Sequence, residues 1–289
     1  MEKIFDGEFY SKLHKLRMSI SMHLAAGMSG GRKSNAKGNS VEFSDFREYR
    51  LGDDFRRVDW NAYGRFDKLF IKLFMEEKEG IFNLFLDTSK SMDYGSAHKG
   101  VCALRIMGAL SYVVLENTDR LYLHFMEQGG LTDDKSYAGR QAFPKVIERL
   151  EKVQFEGAGD LLSSIRHKSF RQRGLSVLIS DGYSHDLEEV FRYMKYKNQQ
   201  VVFIHVLAPE ERDPSMEGTL SLVDSETNGK VRVTMSATTL KAYKKTYASF
   251  IQKLENMCKK YSITYIPVNS DASLDGIFFQ ALSQMSKRG

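Results

Sequence analysis

From residue 80 onward, short apolar runs alternate with segments of helical periodicity, and this rhythm leaves few folds open. The runs are IFNLFLD (81–87), DRLYLHFM (119–126), LSVLISD (175–181), QVVFIHVL (200–207) and SITYIPV (262–268). Between and after them, helical spacing covers 97–116, 140–152, 160–169, about 186–197, 237–260 and 274–286. Strands that are apolar on both faces and separated by helices make a mostly parallel sheet with helices on both sides. Gly129 and Gly130 turn the chain into a short edge strand after the second run. One segment breaks the pattern. TLSLVD (219–224) and KVRVTM (230–235) flank Asn228-Gly229, which predicts a β-hairpin inserted at about 210–236.

The first 79 residues read differently. Residues 1–26 place Leu13, Leu16, Ile20 and Leu24 at helical spacing, and 27–40 (GMSGGRKSNAKGNS) have the composition of a mobile basic loop. Residues 41–79 are dense in charge and aromatics, contain the sole tryptophan, Trp60, and offer one strand at 68–74. The expected organisation is therefore 1–40 as helix and loop, 41–79 as a small β or irregular subdomain packed on the main domain, and 80–289 as the α/β domain. With two cysteines, a disulfide framework or zinc finger is excluded, and a reducing cytoplasm fits. No stretch reaches the roughly 18 apolar residues of a membrane span. The first 16 residues lack a signal-peptide core. A net charge of +5 is too mild to point to nucleic acid.

The chemistry concentrates where the first strand ends. Asp87-Thr88-Ser89-Lys90-Ser91 places a carboxylate and two hydroxyls at i, i+2 and i+4, on one side of an extended segment. Few-charge, all-oxygen donors suit a hard cation such as Mg²⁺ or Mn²⁺, with a vacancy that attracts an outside carboxylate. Asp181 ends a later strand and is followed by Gly182. In open parallel sheets ligands bind beyond the carboxyl ends of strands where strand order reverses, so Asp87 and Asp181 are expected to share a crevice. A third loop, Gly157-Ala158-Gly159-Asp160, should lie nearby. The plainer alternative makes Asp160 and Asp181 helix caps and gives Ser89 and Ser91 the same task at a helix starting near residue 96.

Leu86 to Met92 resembles the metal-ion-dependent adhesion site of von Willebrand factor A domains. Val41 to Phe43, Arg47 to Arg50 and Leu51 to Trp60 resemble the signature of a bacterial branch of these proteins, "domain of unknown function 58". In that signature Arg47, Tyr49, Gly52, Asp53, Asp54, Arg56, Asp59 and Trp60 stand out as structural residues. The resemblance runs from about residue 30 to the end. It implies a Rossmann-like von Willebrand factor A fold and Mg²⁺ (or Mn²⁺) held by Asp87, Ser89, Ser91 and Asp181. It also implies accessory or chaperone-like work with a MoxR-type AAA+ ATPase or its client. One departure stands out. Where the family usually has Gly-Gly-Thr-Asp, this chain has Gly157-Ala158-Gly159-Asp160, so the threonine hydroxyl is missing at Gly159 and water or Asp160 would fill the gap.

Two other function classes were weighed. An aspartyl-nucleophile phosphatase using Asp87 needs a second carboxylate two residues on for acid–base work, and Ser89 stands there. Nucleic-acid binding would rest on the basic segment 12–38 alone. In 41–79, Arg47, Arg50, Arg56, Arg57 and Arg65 alternate with Glu48, Asp53, Asp54 and Asp59, which reads as a self-neutralising ion-pair network with Tyr49, Phe55 and Trp60 as filler. The leading reading is a non-enzymatic module that binds a partner's Asp or Glu.

Overall fold

A computed structural model of the chain describes residues 4–14, 42–66, 68–75, 79–127, 130–132, 135–214, 218–223 and 229–277. The expected basic loop at 27–40 and the final helix beyond residue 277 lie outside these. In chain order the elements are α1 (7–14), β1 (Glu42–Glu48), α2 (Trp60–Phe66), β2 (Phe70–Met75), β3 (Ile81–Asp87), α3 (Lys99–Glu116), β4 (Arg120–Glu127), β5 (Gly130–Thr132), β6 (Ser136–Tyr137), α4 (Phe143–Leu150), α5 (Leu161–His167), β7 (Leu175–Ser180), α6 (Leu187–Tyr196), β8 (Gln200–Leu207), the single turn α7 (Pro209–Arg212), β9 (Gly218–Val223), β10 (Lys230–Met235), α8 (Ala237–Lys260) and β11 (Thr264–Asn269).

The chain divides into two compact units, one of residues 18–79 and one of the remainder. In the larger unit, the central sheet runs β11-β8-β7-β3-β4-β5, with β6 also on β4. β11, β8, β7, β3 and β4 are parallel, and only the short β5 and β6 are antiparallel. β4 follows β3 on one side and β7 returns on the other, so strand order reverses between β3 and β7. This is the mixed α/β architecture, with helices flanking a mostly parallel sheet, that the alternation dictates.

Both sheet faces are covered. Phe85, Leu178 and Phe203 pack on one face against Leu161 and Ile165 of α5, Leu187, Val190 and Phe191 of α6, and Leu254 and Cys258 of α8. The alternate residues Leu84, Leu86, Val177 and Ile179 are equally buried, as are Ala103, Ile106 and Met107 of α3. α1 belongs to this unit: its Phe9 and the preceding Phe5 lie so close to Gly108 of α3 that a Cβ there would come within 2.9 Å of the Phe5 ring. Arg105 ties the same segment down through the Ile4 carbonyl at 2.8 Å. The inserted hairpin forms with Lys230 opposite Val223 and Met235 opposite Gly218.

The smaller unit pairs β1 with β2. β1 was not legible in the sequence. Its charges are locally matched: Arg47 Nη2 meets both carboxylate oxygens of Asp53 at 2.9 Å, Lys68 meets Glu48 at 2.9 Å and Lys72 meets Asp59 at 3.2 Å. Asp54 caps the 3-10 turn Phe55–Arg57 through the Arg56 N–H, and Asp59 receives the Asn61 and Ala62 amides at the start of α2. Gly52 sits at φ 99°, a left-handed turn. The aromatics correct the expectation of filler. Tyr49, Phe55, Trp60 and Tyr63 form a chain of ring contacts at 5.0, 6.2 and 6.3 Å, yet Trp60 is 59% and Phe55 52% exposed.

Phe203 joins β8 to the rings of Phe191 and Tyr265 with no exposure of its own. Phe203→Ala is expected to cost about 3–5 kcal/mol by urea unfolding, whereas Val231→Thr on the exposed hairpin should stay within about 0.5 kcal/mol.

Candidate functional site

The carboxyl ends of β3 and β7 meet as neighbours because Phe82 to Leu86 pair in register with Leu175 to Ile179. One step further, the Ser180 hydroxyl donates to Asp87 Oδ2 at 2.7 Å. Gly182, at φ 73°, turns the chain away from β7 and donates its N–H to Ser180 Oγ at 3.0 Å.

On the β3 side, Ser89 folds back so that its N–H donates to Asp87 Oδ1 at 3.0 Å. Ser89 Oγ and Ser91 Oγ then lie 3.0 Å apart. Thr88 points the other way and donates to the Met126 carbonyl at 2.7 Å, which anchors the loop to β4. The third loop zips onto this one through Lys90 N–H to the Gly157 carbonyl (2.9 Å) and Glu156 N–H to the Thr88 carbonyl (3.0 Å). Gly159 therefore lies against the site: a Cβ there would be 3.2 Å from Asp87 Oδ1 and 3.1 Å from Ser89 Cβ. Sequence spacing thus brought Asp87, Ser89, Ser91, Gly159 and Asp181 to one place.

The capping alternatives separate cleanly. His98, not a serine, caps α3, accepting the Val101 N–H at Nδ1. Neither Ser89 nor Asp181 caps a helix with its side chain. Asp160 does: it is exposed and takes the Ser163 N–H of α5 at 2.8 Å.

Four residues that the sequence pattern did not assign to the site complete it, among them His205, expected only as a satisfied core histidine. Ser180 bridges to Asp87, as above. Lys99, the first residue of α3 and 1% exposed, places Nζ 2.8 Å from Asp181 Oδ2 and 2.7 Å from Glu211 Oε1. Glu211 on α7 is fixed in turn, its Oε2 receiving the Ala208 N–H at 2.8 Å. His205 on β8 donates from Nε2 to the Asp181 carbonyl at 2.8 Å and accepts from the Tyr265 hydroxyl at Nδ1, also 2.8 Å. One signal was available for Lys99: it opens a helix, KGVCALRIMGAL, that is apolar almost all round, so its ammonium needs an internal partner.

The electrostatics follow from this layout. Burial, then the nearby Asp181 charge, raises the Asp87 pKa to about 6 against hydrogen bonds that lower it. Burial works to lower the Lys99 pKa, but Asp181 and Glu211 outweigh it and the ammonium is held above its usual range. Burial drives His205 down to about 4, so it is neutral at physiological pH. Two carboxylates, of Asp181 and Glu211, thus converge on one ammonium. Asp87 has two hydrogen-bond donors but no ion pair among the described residues.

This donor chemistry fits a hard divalent cation on the β3 side. A buried carboxylate with no ion pair among the described residues sits with two clustered hydroxyls, which is an oxygen-only, low-charge set. Among the described residues no three His, Cys, Asp or Glu side chains gather as a metal cluster.

The family model described as "Protein of unknown function DUF58" matches residues 45–252. The chain belongs to this family. An uncharacterized protein of Mycobacterium tuberculosis is 25% identical over 241 residues, covering 79% of this chain and 74% of its own length. Among solved structures, the conserved hypothetical protein BatB from Bacteroides thetaiotaomicron aligns over 72% of this chain and 99% of its own, with 16% identity and TM-score 0.45. The SpRpn10 VWA domain aligns over 71% and 95%, with 10% identity and TM-score 0.40. At these scores the likeness is loose, and the fold assignment stands on the strand order itself. No helix among the described residues is long and apolar enough to cross a membrane.

His205 yields a pH test. Its folded pKa lies below the ordinary 6.5, so the unfolded chain binds the extra proton between pH 6.5 and about 4. The stability it contributes is present above pH 6.5 and is lost as pH falls towards 4. Asp87, with its raised pKa, acts in the opposite sense over about pH 4–6. Comparing wild type with His205→Gln removes that background. The variant should lose on the order of 2–3 kcal/mol less between pH 7 and pH 4.5 in urea unfolding. Parallel pH profiles would contradict the buried neutral imidazole.

Proposed function

We propose that this chain is a non-enzymatic protein-interaction module whose docking point is the crevice at the carboxyl ends of β3 and β7. The observation that carries this reading is the arrangement of Asp87, Ser89 and Ser91: one buried carboxylate with no ion pair among the described residues and two hydroxyls 3.0 Å apart. In this reading Asp87, Ser89 and Ser91 hold Mg²⁺ or Mn²⁺. A divalent cation held there supplies an electrophilic point for an Asp or Glu of a partner protein.

The chain's own residues set up the rest. Ser180 and the Ser89 amide fix both oxygens of Asp87, so the carboxylate is pre-oriented. Thr88 and the 155–160 loop hold the serine loop rigid. Gly159 lies close against Asp87 and Ser89 and brings no hydroxyl where the family usually carries one, which lowers affinity for the cation. A partner of this kind is a MoxR-type AAA+ ATPase or its client, for which the chain would act as an accessory or chaperone-like factor.

A phosphatase reading is less well supported. Asp87 is buried with both oxygens engaged, and the position two residues on is Ser89, which is no acid–base catalyst.

Thermal unfolding tests the metal reading. At a cation concentration about ten times Kd, binding to the folded state alone adds about 1.4 kcal/mol, or roughly 3–6 °C in Tm for a domain of this size. Wild type should show that shift with Mn²⁺ against chelator, and Asp87→Ala should show none. Identical curves for both proteins in both conditions would remove the cation from the account.

A further inference from the structure

The charge count at the crevice points to a division of labour between its two carboxylates. We propose that Lys99 is a tethered counter-cation that claims Asp181, holding it out of the divalent cation's coordination shell and leaving Asp87, Ser89 and Ser91 as the protein's ligands. This rests on the cation reading above and deepens it, since the sequence pattern alone assigns Asp181 as a fourth ligand.

The geometry argues for it from three directions. First, the Lys99 ammonium is fully enclosed and makes two charge-assisted hydrogen bonds, to Asp181 Oδ2 at 2.8 Å and Glu211 Oε1 at 2.7 Å. The Tyr94 and Tyr183 rings flank it at 5.6 and 5.7 Å. A buried lysine that loses its partners is left as an uncompensated charge, so this clasp resists opening. Second, neither partner is loose. Glu211 is pinned by the Ala208 amide, and its own carbonyl accepts the Tyr243 hydroxyl of α8 at 2.5 Å. Asp181 is held through its carbonyl by His205. Third, a dication ligated by Asp181 Oδ2 would stand against an ammonium already bound to that oxygen, and like charges repel strongly where water is excluded.

Charge then balances over the whole group. Lys99 with Asp181 and Glu211 carries one net negative charge, and a dication on the β3 side with Asp87 carries one net positive charge. One anionic ligand and two neutral hydroxyls leave that ion electron-poor, the condition for gripping a carboxylate from outside. Lys99 thereby sets the polarity of the docking point without touching the partner.

Mn²⁺ titration of the full chain, followed by the electron paramagnetic resonance of free Mn²⁺, tests this with wild type, Asp87→Asn, Asp181→Asn, Lys99→Met and Lys99→Met with Glu211→Gln. The double variant leaves Asp181 alone to be compensated and guards against the single variant failing to fold. Asp181→Asn is expected to change Mn²⁺ affinity by less than about threefold, and release of Asp181 in the Lys99 variants to tighten it at least about tenfold. The proposal is overturned if Asp181→Asn weakens binding about as much as Asp87→Asn, or if the folded Lys99 variants bind no more tightly than wild type. Failure of the parent reading looks different: wild type then matches Asp87→Asn. In that case, binding gained only in the Lys99 variants still upholds the clasp, and no gain overturns it.

Discussion

The parallel pairing of β3 with β7 is the constraint on which the rest of the molecule depends. Residues 82–86 run beside 175–179 in register, and the two strands end together at Asp87 and Ser180. Because β4 extends the sheet from the other side of β3, the connections diverge at this boundary, the place where open parallel sheets bind ligands. Every functional group discussed above is placed by that divergence. The β3 loop supplies the hydroxyls, the β7 turn supplies Asp181, the start of α3 supplies Lys99, and α7, directly after β8, supplies Glu211. The apolar packing of both sheet faces provides the rigidity, and the strand ends provide the chemistry.

Burying so many ionisable groups in one place is costly, and the structure meets the cost with pairing rather than solvent. Lys99 is sealed between two carboxylates, His205 is kept neutral and hydrogen-bonded at both nitrogens, and Asp87 is held by a hydroxyl and an amide. The site is linked outward as well. Tyr183, two residues past Asp181, stacks on Phe250 of α8 at 4.9 Å, and Tyr243 of the same helix reaches Glu211. The long helix α8 is thus in direct contact with the groups that set the charge at the strand ends.

The main domain was legible because its strands are buried on both faces, which makes them continuous apolar runs. The apolar runs at 81–87 and 200–207 coincide with β3 and β8, and the helix expected at about 237–260 is α8. β1, EFSDFRE, was not, since a strand in a small two-stranded sheet carries no apolar run and its charges mask the period. The site divided along similar lines. Spacing within one loop revealed Asp87, Ser89 and Ser91, and strand endings revealed Asp181. The Lys99–Glu211 contact joins residues 112 apart and depends on how far a lysine reaches once α3 is packed, which no local pattern encodes. The signature from Val41 to Trp60 pointed to the family that the match over residues 45–252 shows, without disclosing what its exposed Phe55 and Trp60 do.

The central claim is that a divalent cation sits on the β3 side of the crevice while Lys99 retains Asp181. The most direct measurement is a crystal grown with Mn²⁺ and recorded at the manganese absorption edge. The account predicts one anomalous peak within about 2.3 Å of oxygens from Asp87, Ser89 or Ser91, with the Lys99 ammonium still on Asp181. A crevice without anomalous density, or a peak ligated by Asp181 with Lys99 turned away, would contradict it.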